Sequence, residues 1–556
     1  MRKMDRRHFM QASSTAAMGL AIGAVSCSER SFELIIRNGL VYSGRNDEPL
    51  RADVGVKNGR IAAVGDLSAQ SAQQTLDALG MAVTPGFIDV HTHTDIDLLV
   101  DPRGQSKIQQ GVTTEIGGNC GDSVFPIGTP FANDRRQKLQ ERYQVAIDWD
   151  DAAGFLNRLE QQRIGLNYLT LIGHGDLRCA VMGKANRPPT TEEMAKMKSH
   201  LAAALEQGAF GLSTGLEYEP SSFATTEELV ELCQVVSRTN GIYATHMRNE
   251  DVRVEEAVEE ALQIARKSGV RLQISHLKVC QKRNWHKLAG LLEKIRRADQ
   301  EGVDVHADRY PYHAYGTSLK LLFPPWSREG TDAQFVELLQ SSATWQRMRA
   351  FVRDKVEALG SWDSVLITRV SPKNSDMQGC TVQQIAVDKD IDPYELVRQL
   401  LIDSNGDVSM CGFAMSEENT AAVLAFPLTV VGSDGRAISP NGLLGRDNPH
   451  PRFYGTFPRY LGHYVREKQI LSLSEAIQRV TSLPARIFGL ADRGEIAQGK
   501  WADLAIFDPQ RIIDRATFTD PHQYPDGIEA VIVNGRIAVF RGEHTGCLAG
   551  QVLRRS

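Results

Sequence analysis

The sequence has few cysteines and little excess charge, and each shortage argues against a class of protein. Its eight cysteines are scattered over 556 residues without CxxC spacing, so neither a zinc ribbon nor a disulfide framework is indicated. The net charge of -5 gives no support for a nucleic-acid partner or an anionic membrane surface. No low-complexity tract or short repeat stands out. The remaining composition, 42% hydrophobic and 24% charged, is typical of a globular protein, and the length favours one large domain with a smaller one.

The first thirty residues are typical of an export signal. Basic residues precede an apolar run of small side chains from Ala12 to Val25, which is too short to span a bilayer as a helix. The stretch Asp5-Arg-Arg-His-Phe-Met10 resembles a twin-arginine signal, so we expect a bacterial protein exported to the periplasm. Cys27 follows Ala-Val-Ser as in a lipoprotein cleavage box, which predicts a lipid anchor. An ordinary cleaved signal with an incidental cysteine explains the same residues equally well.

Both ends of the chain have the texture of short β-strands. Between residues 32 and 83, strand-like runs are interrupted by the turn signals Asn38-Gly39 and Asn58-Gly59. The tail has the same pattern around Asn534-Gly535. We therefore predict a small β-sandwich built from residues 31–85 and 487–556.

The middle of the chain, residues 86–486, alternates apolar runs with helical stretches, which is typical of a parallel α/β fold. Eight runs qualify as strands, and they predict a (β/α)8 barrel of the TIM type. The runs are Gly86–His91, Val112–Ile116, Asn167–Gly173, Phe210–Gly215, Ile242–His246, Leu272–His276, Val303–Ala307 and Leu428–Gly432. The gap between the last two is too long for a loop, so residues 320–425 are predicted to form an inserted subdomain.

The first of these runs ends in a His-x-His pair. Side chains two apart on a strand point to one side, so His91 and His93 are expected to project together. Paired imidazoles suit zinc and its neighbours. Two buried histidines that are hydrogen-bonded in a core are the alternative.

Further polar residues fall at or just after the ends of other predicted strands. Active sites of barrel enzymes collect at the carboxyl ends of the strands, so these residues are expected to converge. Taken singly, each has an ordinary explanation as a buried thiol, a core histidine or a turn aspartate. Taken together, they favour a metal site. The residues are Cys120, His174, His246, His276 and Asp434.

Longer motifs resemble the N-acyl-D-amino-acid deacylases (D-aminoacylases) of the amidohydrolase superfamily. His-x-His marks only the superfamily, whereas Asn-Cys-Gly together with His-Pro-Arg is much more specific to the deacylases. The resemblance covers nearly all of the chain after residue 30. The motifs include Pro85-Gly-Phe-Ile-Asp-Val-His-Thr-His93, Gly118-Asn-Cys-Gly121, Thr245-His-Met-Arg248, Ile274-Ser-His-Leu-Lys278, Tyr310-Pro-Tyr312, Gly432-Ser-Asp-Gly435 and His450-Pro-Arg452.

The resemblance implies a catalytic zinc held tightly by Cys120, His246 and His276, with an open position for water. It also implies a second site at His91, His93 and Asp434 that binds another metal weakly or stays empty.

The resemblance further implies that Asp434 is the general base, moving a proton from the attacking water to the departing nitrogen. Lys278, Arg452 and Tyr218 match residues that bind the substrate's α-carboxylate. A surface salt bridge is the alternative for the two cations.

The predicted function is zinc-dependent hydrolysis of N-acyl-D-amino acids, releasing a carboxylate and a free D-amino acid. The substrate is a small N-acyl amino acid with a free α-carboxylate. Two alternatives are an amidohydrolase acting on D-dipeptides or a cyclic amide, and a catalytically silent binding homologue. The sequence departs from the family at Ala314-Tyr-Gly-Thr317, where Ala-Ser-Ser-Thr is usual, and this bears on the acyl group or side chain that is accepted.

Overall fold

The structure is a computed structural model that describes residues 31–127 and 132–555. The predicted export signal, with Cys27, lies outside the described residues. Among the helices that are described, none combines the length and the apolar character needed to cross a membrane.

The strands of the described residues follow the chain from one end to the other. In order they are β1 (Phe32–Val41), β2 (Leu50–Lys57), β3 (Arg60–Gly65), β4 (Ala72–Asp77), β5 (Ala82–Pro85), β6 (Phe87–Asp89), β7 (Val112–Gly117), β8 (Asn167–Thr170), β9 (Ile172–Gly173), β10 (Gly211–Gly215), β11 (Ile242–His246), β12 (Arg271–Ile274), β13 (Val305–Arg309), β14 (Ala314–Ser318), β15 (Val365–Arg369), β16 (Ser409–Phe413), β17 (Thr429–Val431), β18 (Leu504–Phe507), β19 (Ile528–Val533), β20 (Arg536–Phe540) and β21 (Glu543–His544).

The α-helices lie mainly between the strands of the middle region. They are α1 (Asp97–Val100), α2 (Gln105–Ile108), α3 (Ala132–Tyr143), α4 (Ala152–Gln162), α5 (His174–Met182), α6 (Thr191–Glu206), α7 (Thr226–Arg238), α8 (Val254–Ser268), α9 (Leu288–Gln300), α10 (Asp332–Gln340), α11 (Ser342–Leu359), α12 (Val382–Asp388), α13 (Pro393–Asp403), α14 (Glu417–Ala425), α15 (Arg452–Arg459), α16 (Leu473–Val480) and α17 (Ser482–Ile487).

Both chain ends contribute to one nine-stranded sheet. Its order is β21-β20-β19-β18-β5-β1-β2-β3, with β4 also paired to β1. Two of the predicted turns are two-residue hairpin loops. Lys57 pairs with Arg60 across Asn58-Gly59, and Val533 pairs with Arg536 across Asn534-Gly535. The third prediction is wrong: Asn38-Gly39 lies inside β1, where a bulge against β2 absorbs the extra residue.

The middle of the chain forms parallel strands in sequence order. One sheet runs β6-β7-β8 and the next runs β9-β10-β11-β12-β13-β17, with every neighbouring pair parallel. Only Leu171 separates β8 from β9, and a parallel bridge joins Thr92 after β6 to Gly435 after β17. The fold is therefore α/β, with the predicted strands in the predicted order.

The first parallel strand, β6, is shorter than predicted and ends at Asp89 instead of His91. The Asp89 carboxylate accepts the backbone N–H of His91 at 3.3 Å and that of Ser433 at 2.8 Å. The Asp89 side chain thus binds backbone N–H groups that a neighbouring strand would otherwise bind. His91 and His93 consequently lie on the segment after the strand, and His276 likewise follows β12, which ends at Ile274.

The segment between β13 and β17 has a core of its own. Strands β14, β16 and β15 form a small antiparallel sheet. Buried side chains from Leu319 to Met410 pack together against it and helices α10–α13. Helix α14, inside the predicted boundary at residue 425, instead packs beside β13 and β17. This segment lies next to the carboxyl ends of the parallel strands and supplies one wall of the site.

Candidate metal centre and active site

Four histidines, a cysteine and an aspartate meet at the carboxyl ends of the parallel strands. The ligand atoms of Cys120, His246 and His276 lie within 4.8 Å of one another. A second group with the same spacing consists of His91, His93, Cys120 and Asp434. The Cys120 thiol belongs to both groups, with Sγ 3.2 Å from Nε2 of His91 and 3.5 Å from Nε2 of His276. The structure thus brings together all six residues predicted as metal ligands.

Three of these residues have an unusual backbone. Cys120, His276 and Asp434 have φ of 52°, 38° and 49°, in the left-handed region that residues other than glycine seldom adopt. Such conformations cluster at functional sites, where the surrounding structure enforces them. Close packing contributes here, because a Cβ on Gly121 would come within 2.6 Å of the backbone nitrogen of Gly215. The loop that carries Cys120 is therefore held tightly against β10.

The electrostatics favour the metal-binding forms of the two acids. Burial raises the pKa of the Cys120 thiol, but the charges on His91 and His276 outweigh it and hold this pKa well below its usual value. Burial likewise opposes ionisation of Asp434, and Arg452 and His91 reverse this, so its pKa lies well below the usual range. A thiolate with imidazole nitrogens is a donor set that zinc prefers. The residues fit that ion.

Asp308, which is not among the predicted site residues, orients two of the histidines. Its Oδ1 lies 3.2 Å from Nδ1 of His91 and accepts the backbone N–H of His276 at 2.7 Å. Because Nδ1 of His91 is occupied by the carboxylate, Nε2 is left to face Cys120. Asp308 falls near the end of β13, so the strand-end reasoning that found the other residues could have found it.

A buried ion pair holds the end of β6 against the segment that follows β17. Lys107 Nζ donates to Asp89 Oδ2 at 2.8 Å and to the hydroxyl of Ser433. Asp89 in turn binds the backbone of Ser433, next to Asp434. This network holds His91 and Asp434 side by side, since the backbone N–H of Asp434 donates to the carbonyl of His91 at 2.8 Å.

Arg452 is buried with unused donors. Its Nη1 lies 2.9 Å from Asp434 Oδ2, but without the direction of a hydrogen bond, and neither Nε nor Nη1 has a hydrogen-bond partner among the described residues. The guanidinium carbon lies 4.7 Å from the ring centre of Tyr310. A planar cation with free N–H groups is suited to a carboxylate.

Lys278 has a different environment from the one that was expected. Its ammonium donates to Glu250 Oε1 at 2.6 Å and lies 2.7 Å from Nδ1 of His276. Glu250 therefore neutralises the charge that was predicted to bind substrate. Glu250 follows β11, and nothing in the sequence spacing signals that it reaches the residues after β12.

Tyr218 stands beside the metal-site histidines. Its ring centre is 4.9 Å from that of His246, and its hydroxyl lies 3.2 Å from Oγ1 of Thr317. This contact links the loop after β10 to the segment that begins at β14.

His174 lies outside the cluster. Its Nδ1 is 2.9 Å from the hydroxyl of Ser221 and its Nε2 is 3.0 Å from Glu228 Oε1. Arg178 also binds Glu228, at 2.7 Å and 2.6 Å. Both ring nitrogens are thus satisfied in a buried network, as the alternative explanation for a strand-end histidine expects.

The cluster opens into a cavity of ≈ 1050 Å³. Cys120, His246, His276, Asp434 and Arg452 are among the residues that line it. The segment after β14 and the loop after β10 supply further lining residues. The volume suits a small-molecule ligand, and the groups that carry chemistry are clustered in its wall.

Comparison with known proteins agrees with this geometry. An amidohydrolase family model matches residues 74–313 and 431–539. The chain is 36% identical over 527 residues to an N-acyl-D-glutamate deacylase of Alcaligenes xylosoxydans xylosoxydans, covering 95% of this chain and 97% of that protein. It is also 36% identical to a D-aminoacylase of the same organism, covering 94% and 98%. A third relative from that organism, an N-acyl-D-aspartate deacylase, is 35% identical and covers 94% and 95%.

A solved structure gives the same result. An N-acyl-D-glutamate deacylase from Bordetella bronchiseptica, in complex with zinc and a phosphonate mimic of the tetrahedral intermediate, superposes with a TM-score of 0.80. It is 35% identical, and the match covers 94% of this chain and 100% of that one. The chain belongs to the amidohydrolase family and is a metal-dependent hydrolase. Within the family it groups with the N-acyl-D-amino-acid deacylases.

Proposed function

We propose that this protein hydrolyses the amide bond of N-acyl-D-amino acids, releasing a carboxylate and a free D-amino acid. The observation that carries the proposal is the convergence of the Cys120 thiol, His246 and His276 beside Asp434 and the unused donors of Arg452. Relatives that act on N-acyl-D-amino acids, at 35–36% identity over nearly the whole chain, support it.

Cys120, His246 and His276 would hold one tightly bound zinc, and His91, His93 and Asp434, with Cys120 shared, a weaker second metal. A D-aminoacylase to which the chain is 36% identical has a binuclear metal centre. Bound zinc supplies a Lewis acid that polarises the scissile carbonyl and makes water a stronger acid.

Asp434 is the proton carrier in this proposal. Its carboxylate is ionised at neutral pH and lies 3.1 Å from Nε2 of His93. It accepts a proton from the attacking water at a carboxylate oxygen and returns it to the departing nitrogen, because an unprotonated amine leaves poorly.

Arg452 binds the α-carboxylate through its free N–H groups. That contact competes with the ion pair to Asp434, so substrate binding weakens the attraction that keeps Asp434 so acidic. The carboxylate becomes a better base when the substrate is in place. The ammonium of Lys278 is held by Glu250 and His276, so it would reach the α-carboxylate only in exchange for one of these partners. Tyr218 closes the side of the site beside His246.

We further propose that the parallel strands close into a (β/α)8 barrel over residues 86–486, with residues 320–425 inserted. Residues 31–85 and 487–556 would form the β-sandwich. The parallel bridge between Thr92 and Gly435 supports closure, and the separate core from Leu319 to Met410 supports the insertion. The first thirty residues would be an export signal that sends the protein to the periplasm, with or without a lipid anchor at Cys27.

A screen of N-acetyl amino acids and dipeptides in both enantiomers, reading released amine, tests the proposed activity. We expect turnover of N-acetyl-D-amino acids by zinc-loaded protein. The Cys120→Ser variant should lose both zinc and turnover, whereas Cys547→Ser, which changes a cysteine remote from the cluster, should retain both. Turnover confined to L substrates or to dipeptides would contradict the proposal.

A further inference from the structure

The charges in the cavity wall are balanced. Among the residues that the structure describes, eight basic ones line the cavity, namely Lys184, Arg248, Arg253, Lys278, Arg328, Lys355, Arg436 and Arg452. Eight acidic residues face them, namely Asp122, Asp176, Glu217, Glu219, Glu250, Asp251, Glu329 and Asp434. The wall therefore has no excess of positive charge with which to hold an additional carboxylate.

Most of the basic residues are engaged by specific partners. Arg248 binds Glu260 at 2.9 Å, and Arg436 binds Asp97 at the same distance. Lys355 lies 3.2 Å from Asp251. Among the remainder, Lys184 and Arg253 are exposed, where water and salt screen their charges.

Arg328 is the basic residue whose pairing matters most for a ligand. Its Nη1 donates to Glu219 Oε2 at 3.3 Å, and its Nη2 lies 3.3 Å from Oε1 of the same carboxylate. Both side chains are only 11% exposed, so this pair is poorly screened. The Nε of Arg328 is buried and has no hydrogen-bond partner among the described residues. Glu219 is the residue after Tyr218, and both Glu219 and Arg328 line the cavity.

Apolar side chains also line the cavity. Leu321, Leu322 and Phe323 line the cavity where the inserted segment begins, and Phe351 and Leu359 line it from α11. An uncharged side chain or acyl group could be buried against these residues at a gain. A carboxylate placed there would lose water without gaining a cation.

We propose that this protein, acting as the deacylase described above, selects N-acyl-D-amino acids with uncharged side chains. The geometry assigns Glu219 as the residue that sets this preference, because it holds the charge of Arg328. The α-carboxylate has Arg452, but among the described residues that line the cavity no other buried cation lacks a carboxylate partner for a second carboxylate to use. The relatives named for D-glutamate, for D-aspartate and for D-amino acids in general are equally similar to this chain, so identity does not decide the matter.

The first experiment measures kcat/KM of the zinc-loaded protein for N-acetyl-D-methionine, N-acetyl-D-leucine, N-acetyl-D-glutamate and N-acetyl-D-aspartate. We expect the uncharged substrates to be preferred at least about 50-fold, since an unpaired buried carboxylate is costly. If kcat/KM for the acidic substrates lies within about 5-fold of that for the uncharged ones, or above it, the inference is overturned and the proposed function stays intact. A factor of about 5 corresponds to about 1 kcal/mol. No turnover of any D substrate would contradict both.

The second experiment compares Glu219→Gln with Asp251→Asn as a matched control. Glu219→Gln leaves Arg328 charged and unpaired in the wall, so relative kcat/KM for N-acetyl-D-glutamate should rise at least about 10-fold. Asp251→Asn releases Lys355, which is more exposed, and should change the ratio less than about 3-fold. Thermal unfolding checks that both variants fold. An unchanged substrate ratio in folded Glu219→Gln would overturn the assignment of Glu219.

Discussion

His174 and His246 occupy comparable places at the ends of parallel strands, but their surroundings differ. His174 has both ring nitrogens occupied, by Ser221 and by Glu228. His246 is also buried, yet its Nε2 has no hydrogen-bond partner in the described part of the chain, and the nearest carboxylate oxygen, on Glu217, is 3.6 Å away. A histidine at a strand end is thus available to a metal where one ring nitrogen is unsatisfied, as in His246, or meets only another candidate ligand, as Nε2 of His91 and of His276 meets Cys120.

The largest effect should follow from removing the available histidine. His246→Gln is expected to lose zinc and to lower kcat/KM at least about 1000-fold, because the Lewis acid supplies several kcal/mol to the reaction. Metal analysis of the purified variant and released-amine kinetics measure both. His200→Gln, on the exposed face of α6, is the control and should match the parent protein. Retained zinc with full activity would break the comparison.

The next largest effect on activity should come from Asp434, the proposed proton carrier. Asp434→Asn removes the base but keeps an oxygen for a ligand, so kcat should fall about 100- to 1000-fold. Zinc at Cys120, His246 and His276 should remain. A variant that loses the tightly bound zinc instead would show that Asp434 belongs to the primary metal site.

A smaller effect is expected at the residue that orients His91. Asp308→Asn leaves the shape unchanged but removes the charge that holds Nδ1 of His91, and such partners typically contribute about 10- to 100-fold in metal affinity or activity. Competition with a chelator gives the zinc affinity, and kinetics give the activity. An unchanged affinity at both sites, together with unchanged activity, would show that Asp308 serves only to bind the backbone of His276.

The smallest effect on activity should come from the satisfied histidine. His174→Gln leaves Glu228 and Ser221 without their shared partner, so the free energy of unfolding should fall by about 1–3 kcal/mol. Zinc content should not change. The change in kcat/KM should be less than about 3-fold, which corresponds to less than about 1 kcal/mol. Denaturant unfolding, again with His200→Gln as the control, measures the loss. Loss of zinc from His174→Gln would mean that the two histidines are not distinguished by their hydrogen bonds.

The strand order and the ligand cluster could be predicted because both depend on local patterns. Apolar runs define the strands, and residues that follow parallel strands meet at one edge. Cys120, His246 and His276 were found in this way. The exact end of β6 could not be predicted. The strand stops where Asp89 binds the backbone of Ser433, which is a contact between residues far apart in the chain.

The partners of the cations in the cavity wall were also out of reach. Lys278 pairs with Glu250, and Arg328 pairs with Glu219, which is 109 positions away. Such pairs depend on which loops face each other across the cavity, and residue spacing within one strand and its loop carries no information on that.

The pairing of β5 with β18 has a consequence for synthesis of the chain. Ala82 is opposite Phe507 in that pair, so β5, which also pairs with β1, acquires its second neighbour only after about nine tenths of the chain has been made. Until then the edge of β5 that will bind β18 is open to water and to other nascent chains. Ribosome-bound intermediates truncated before residue 504 should therefore depend on chaperones more strongly than the finished protein does.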